Sequence, residues 1–128
     1  MKALILFFAL SRPKPAHSCH FWPRTSHRTV VRIIRCAENH WPVPGGFEMA
    51  LCIAQRESGL YPKAQNPTSS ALGIYQVVQG TWDSWWRSSP DFRRWWHVGY
   101  DRSNPRNNVL LSVRKMSHEG LGPWGGSC

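Results

Sequence analysis

The chain has 128 residues, 41% of them hydrophobic and only 18% charged, with a formal net charge of +9. That length suits one domain, and the composition excludes a highly charged, disordered chain. The positive excess points to a polyanionic partner, either nucleic acid or an anionic bacterial wall or membrane, yet the arginines are scattered and no long basic block marks a nucleic-acid tail.

At the start, Met1-Lys2 precedes the apolar run Ala3–Leu10, and Ala16 and Ser18 stand as the small residues of a cleavage site before Cys19. The run is too short to span a membrane, and Arg12 and Lys14 sit where a signal peptide is usually uncharged. Residues 1–27 therefore read as a signal peptide or an uncleaved N-terminal arm, its stretch 11–27 rich in Pro, His, Ser and Arg, and residues 28–128 as the folded domain. Next, Val30, Val31, Ile33, Ile34 and Ala37 recur at helical spacing. They predict a helix capped by Thr29 and stopped near His40 by Trp41-Pro42-Val43-Pro44-Gly45-Gly46.

A second helix is predicted over Phe47–Ser58, with Gly59 as its C-cap and Glu57 in its last turn. Residues 60–75, rich in Pro, Asn, Ser and Gly, form a structured loop with room for a short hairpin. A third helix carries Trp82, Trp85 and Trp86 on one face and ends at Ser89-Pro90. A helical turn over Phe92–Val98 and a last helix over Asn107–His118 follow, then an irregular tail with Trp124. The fold class is mainly α. Four cysteines (Cys19, Cys36, Cys52, Cys128) without a CxxC pair fit disulfides and export better than zinc, and their three pairings stay open. At least half of the eight Trp are expected in the core, the rest as platforms for sugar rings or bases.

One stretch carries chemistry: Arg56-Glu57-Ser58-Gly59-Leu60-Tyr61-Pro62, Ala64-Gln65-Asn66-Pro67, then Ser69-Ser70-Ala71-Leu72-Gly73-Ile74-Tyr75-Gln76. It resembles the E-S-G…N-P…S-A-x-G-x-x-Q signature of the lytic transglycosylase and goose-type lysozyme superfamily. Within that superfamily it is most similar to the small transglycosylase-like enzymes of phages and actinobacteria, relatives of resuscitation-promoting factors. The resemblance covers roughly residues 28–126. It implies a lysozyme-like fold, with helices around a glycan-binding cleft. The implied activity cuts the β-1,4 bond between MurNAc and GlcNAc in peptidoglycan, in the wall, outside the cell, or in a phage lysis apparatus. It also implies site roles. Glu57 is the catalytic acid, and Ser70 contacts the N-acetyl or peptide-proximal part of the sugar. Gly73 lets backbone approach substrate, Gln76 positions the glycan, and Tyr75 and Trp82 line the cleft. Tyr100 stands as the sole candidate for a late tyrosine that buttresses the acid.

Residue chemistry agrees with that assignment. A leaving glycosidic oxygen needs a proton, and a carboxyl group can hold one near neutral pH in an apolar, desolvated site. A glutamate ending an apolar helix beside aromatic rings is one way to build such a site; a surface pair with Arg56 or Lys63 is the bland alternative. Most glycosidases use two carboxylates. No acid follows Glu57 in its loop, where hen-type enzymes carry a second one, and Asp83 at a helix start reads as a cap. A single acid favours a transglycosylase, which forms 1,6-anhydro-MurNAc ends without water. A hydrolytic muramidase and a non-catalytic wall-binding module are the alternatives. No ligand cluster calls for a metal or nucleotide cofactor, and no nucleic-acid motif, membrane insertion or oligomer is expected.

Overall fold

The computed structural model describes residues 15–128. The apolar run Ala3–Leu10 and most of the signal-peptide reading lie outside the described residues. Helix α1 spans His27–His40 and starts earlier than expected, because Ser26 is its cap. The Ser26 hydroxyl accepts from the Thr29 amide at 3.1 Å, satisfying a free donor of the first turn, which is worth about 1 kcal/mol. Thr29 itself is buried inside that turn.

Helix α2 spans Gly46–Ser58 and ends as anticipated at Gly59, whose left-handed backbone (φ 61°) turns its N–H onto the Gln55 carbonyl. Helices α3 (Gln79–Arg87), α4 (Pro90–Trp96) and α5 (Pro105–Glu119) complete the set, with 3-10 turns at Pro15–His17 and Gly122–Trp124. α3 stops at Arg87, just ahead of Ser89-Pro90 as expected, and Pro90 then opens α4 as Pro105 opens α5. Proline suits the first turn, where its missing N–H would have no partner. Asn104 caps α5 by accepting from the Asn107 amide at 3.0 Å. Asp83, read as a cap, lies inside α3, whose capping position belongs to Val78.

No strand forms among the described residues; the loop after α2 is held by single bridges pairing Gln65 with Leu72 and Leu72 with Val77. The mainly helical architecture is as expected. Its centre is α5, against which α1 packs, and α2 packs against α1. Every residue of α5 from Pro105 to Val113 is buried, including Arg106, Asn107, Asn108 and Ser112. Such all-round burial erases the one-sided apolar stripe by which surface helices are read. Trp82, Trp85 and Trp124 are in the core, and Trp41, Trp86 and Trp96 pack against it. Trp22 and Trp95 are exposed.

The open cysteine pairing resolves into Cys19–Cys36 and Cys52–Cys128. The first fastens residues of the arm onto α1. The second fastens the tail onto α2, one turn and a half before Glu57.

Candidate active site

Glu57 stands in the last turn of α2, where the apolar face formed by Ala50, Ile53 and Ala54 gives out. Its side chain is 28% exposed and takes a bond of 3.1 Å from the Arg56 guanidinium. The pairing with Arg56 is therefore real. The same guanidinium also donates to the carbonyls of Ser127 at 2.8 Å and Trp124 at 2.6 Å. Arg56 thus joins the helix end to the tail, and the Cys52–Cys128 bridge holds that tail from the other side. Nothing in the sequence motif marked Arg56 for this task, since its carbonyl partners lie about seventy residues away.

The motif loop is built on α5. Asn108, fully buried, accepts from the Tyr75 amide at 2.9 Å and donates to the carbonyls of Leu72 and Arg102 at 3.2 and 3.1 Å. Gly73 explains why this fits. At φ 87° a Cβ there would come within 2.4 Å of both the Arg102 carbonyl oxygen and the Asn108 side-chain nitrogen. The close approach that Gly73 permits here is to Asn108 and Arg102.

Gln76 also has a left-handed backbone, φ 51°, a costly conformation for a residue with a Cβ. Its own amide offsets part of that cost by donating to the carbonyls of Ala64 at 2.7 Å and Gly73 at 3.0 Å. Half-buried, it borders a pocket of about 110 Å³ with Thr81, Trp85 and Trp124. Trp124 thus belongs both to this pocket and to the backbone that holds Arg56, and its indole donates to the Tyr75 carbonyl at 2.9 Å.

Tyr75 does not line a cleft. It is fully buried, its hydroxyl donates to the Ala50 carbonyl at 2.8 Å, and burial pushes its phenol above the ordinary range. Trp82 is likewise fully buried, and its indole donates to the Tyr100 carbonyl at 2.8 Å. Both were expected to line a cleft; both are instead interior, where their apolar ring area is removed from water.

Ser70 is exposed, and its hydroxyl accepts from the Gln79 amide at 2.9 Å. Arg102 donates to the carbonyls of Ser70 and Val77 and to the Gln79 side chain, at 2.6–2.7 Å, and so ties the Ser70 turn to the start of α3. Tyr100 is 46% exposed and hydrogen-bonds Asp83, while Gln79 donates to both at 2.8 and 3.1 Å. No hydrogen bond joins Tyr100 to Glu57 among the described residues; its bonds serve Asp83 and Gln79. The Tyr100 hydroxyl holds the Asp83 carboxyl below its ordinary value, and Asp83 in turn raises the Tyr100 phenol.

Cys19, Cys36 and His40 bring their sulfur and nitrogen atoms within 4.8 Å of one another, but both sulfurs are spent in a disulfide and offer no thiolate to a metal.

Residues 37–120, about two thirds of the chain, match the Transglycosylase SLT domain family. The chain belongs to that family. Its mainly helical architecture is that of the lysozyme-like SLT domain. Among curated relatives, the probable transglycosylases SceD 3 and SceD 1 of Staphylococcus saprophyticus are each 66% identical over 32 residues, covering 25% of this chain and 13% of theirs. The probable transglycosylase SceD of Staphylococcus aureus is 66% identical over 32 residues, covering 25% of this chain and 14% of its own. The match thus spans only a small part of those relatives' length.

Proposed function

We propose that this domain is a peptidoglycan lytic transglycosylase that cleaves the β-1,4 bond between MurNAc and GlcNAc, with Glu57 as its one catalytic carboxyl group. The observation carrying this reading is the convergence at Glu57 in a chain of the SLT family. Arg56 bonds that carboxylate and, through its other two nitrogens, the carbonyls of the disulfide-bound tail. The other carboxylates near the loop are committed elsewhere: Asp83 to Tyr100 and Gln79, and Asp101 to Ser103.

In the forward step, the Glu57 proton passes to the glycosidic oxygen as the C1–O4 bond breaks. The oxygen of the substrate's own N-acetyl group bonds to C1 and takes up the positive charge. The 6-hydroxyl then attacks C1, displaces that acetyl oxygen, and returns its proton to Glu57. The product is a 1,6-anhydro ring, and the carboxyl group is restored. Arg56, bonded to Glu57 at 3.1 Å and to the tail carbonyls, holds the carboxyl group at the end of α2. Ser70 and Gln76 present polar groups along the loop to the glycan.

Purified peptidoglycan digested by the domain should yield fragments with anhydro-muramyl ends by mass spectrometry. Ends heavier by one water would establish a hydrolytic muramidase instead. Glu57→Gln should slow cleavage by about 10²–10⁴-fold, the usual worth of a general acid–base group. Full activity in that variant would remove Glu57 from the mechanism, and wall binding without any cleavage by the wild type would make the domain a binding module.

A further inference from the structure

A second cavity, of about 260 Å³, lies between the arm and the start of α5. Its walls include His20, Phe21, Trp22, Arg24, His97 and Arg106, and no residue of the catalytic loop. No carboxylate stands among the described residues that line it. The position of its cations is fixed by the fold. Arg106 is only 6% exposed, and its guanidinium donates to the carbonyls of Ser18, His97 and Trp96 at 2.8–3.1 Å, with no acidic partner. The Cys19–Cys36 bridge pins the adjoining strand of chain. On the outer wall, the Arg24 guanidinium lies 4.5 Å from the centre of the Trp22 ring, which is 66% exposed.

Like charges brought together in a cavity without a counter-charge repel one another, and a bound anion relieves that repulsion. His20 registers the field: burial, then Arg106 and Arg24, lowers its pKa. The aromatic faces of Phe21 and Trp22 suit the C–H surface of a polyol or sugar next to the anion. A guanidinium beside a flat ring offers phosphate oxygens two donors in a fixed fork.

We propose that this cavity is a binding site for a phosphate ester of a polyol or sugar, separate from the catalytic loop. The site stands independently of the reading of Glu57. Its phosphate can come from a free ester or from a phosphodiester chain.

The test titrates the full chain with inorganic phosphate, with glycerol 3-phosphate and with a short glycerol phosphate oligomer, following the ring ¹H–¹⁵N resonances of His20 and His97. Saturable movement of both rings supports the site. Tighter binding of the oligomer at equal phosphate assigns it to a polymer, and equal or tighter binding of the monomer assigns it to a free ester. Arg24→Gln and His20→Gln are exposed changes; Arg24→Gln should weaken binding by about tenfold, the loss of one charge-assisted hydrogen bond, and His20→Gln by less, since its neighbours favour the neutral ring. Arg87→Gln, on α3 outside the cavity, should leave it unchanged. Identical ring shifts with sodium chloride at equal ionic strength, or wild-type binding by Arg24→Gln and His20→Gln, would overturn the proposal.

Discussion

At the scale of single residues, the motif places two kinds of work side by side. Glu57 is left partly open with a cation beside it, whereas Gly73 and Tyr75 seat the loop against Asn108 of α5 and Ala50 of α2, and the Gln76 side-chain nitrogen donates to the loop's own carbonyls. Gly73→Ala is therefore a structural lesion: its positive φ and the 2.4 Å approach to Asn108 and Arg102 leave no room for a methyl group. The expected cost is about 2–4 kcal/mol of stability, read as a lower midpoint in urea with unchanged slope. Tyr100 gives a pH-dependent prediction. Its bond lowers the Asp83 carboxyl in the folded state. A depressed carboxyl contributes stability above its unfolded value and loses that contribution as pH falls through the lower, folded value. The wild type should be more stable than Tyr100→Phe at neutral pH, and the gap in thermal midpoint should close as pH drops below about 4. A gap that widens in acid would refute the assigned pair.

Among elements, α2 and the tail form one unit. Cys52–Cys128 closes 76 residues of sequence and Cys19–Cys36 closes 17. By loop-closure entropy these constrain the unfolded chain by about 4 and 3 kcal/mol. Replacing both cysteines of either pair with serine should lower the thermal midpoint, the Cys52/Cys128 pair by more. The two should part sharply in activity. Loss of the long bridge frees the tail whose Trp124 and Ser127 carbonyls hold Arg56 next to Glu57, so cleavage should fall even at temperatures where the variant stays folded. Loss of the short bridge releases the arm and should spare cleavage of a soluble glycan. Circular dichroism melts together with a turnover assay separate these outcomes.

For the molecule as a whole, charge and fold act at different ranges. A net charge of +9 attracts an anionic wall over a distance that salt shortens, from about 10 Å at 0.1 M to about 3 Å at 1 M. Adsorption to isolated walls should fall as sodium chloride rises, while the rate on a short neutral glycan should hardly change; salt-independent adsorption would contradict this. Much of this was legible in the amino-acid order. The apolar spacing of Val30 to Ala37 and the Gly59 stop placed α1 and α2, and the motif singled out Glu57, because these signals are local and short in range. The sequence by itself determined the helical class, the family resemblance and the candidate acid. Tertiary structure alone decided which motif and helix residues face inward: Tyr75 of the loop and Trp82 of α3 are fully buried, and Gly73 meets Asn108. It also decided the disulfide pairing, Arg56's hold on the tail, and the burial of Arg106 and Asn108 in α5. Each of these depends on groups dozens of residues apart meeting in a packed interior. There an unpaired polar group or an extra methyl is costly, and local spacing carries no record of such meetings.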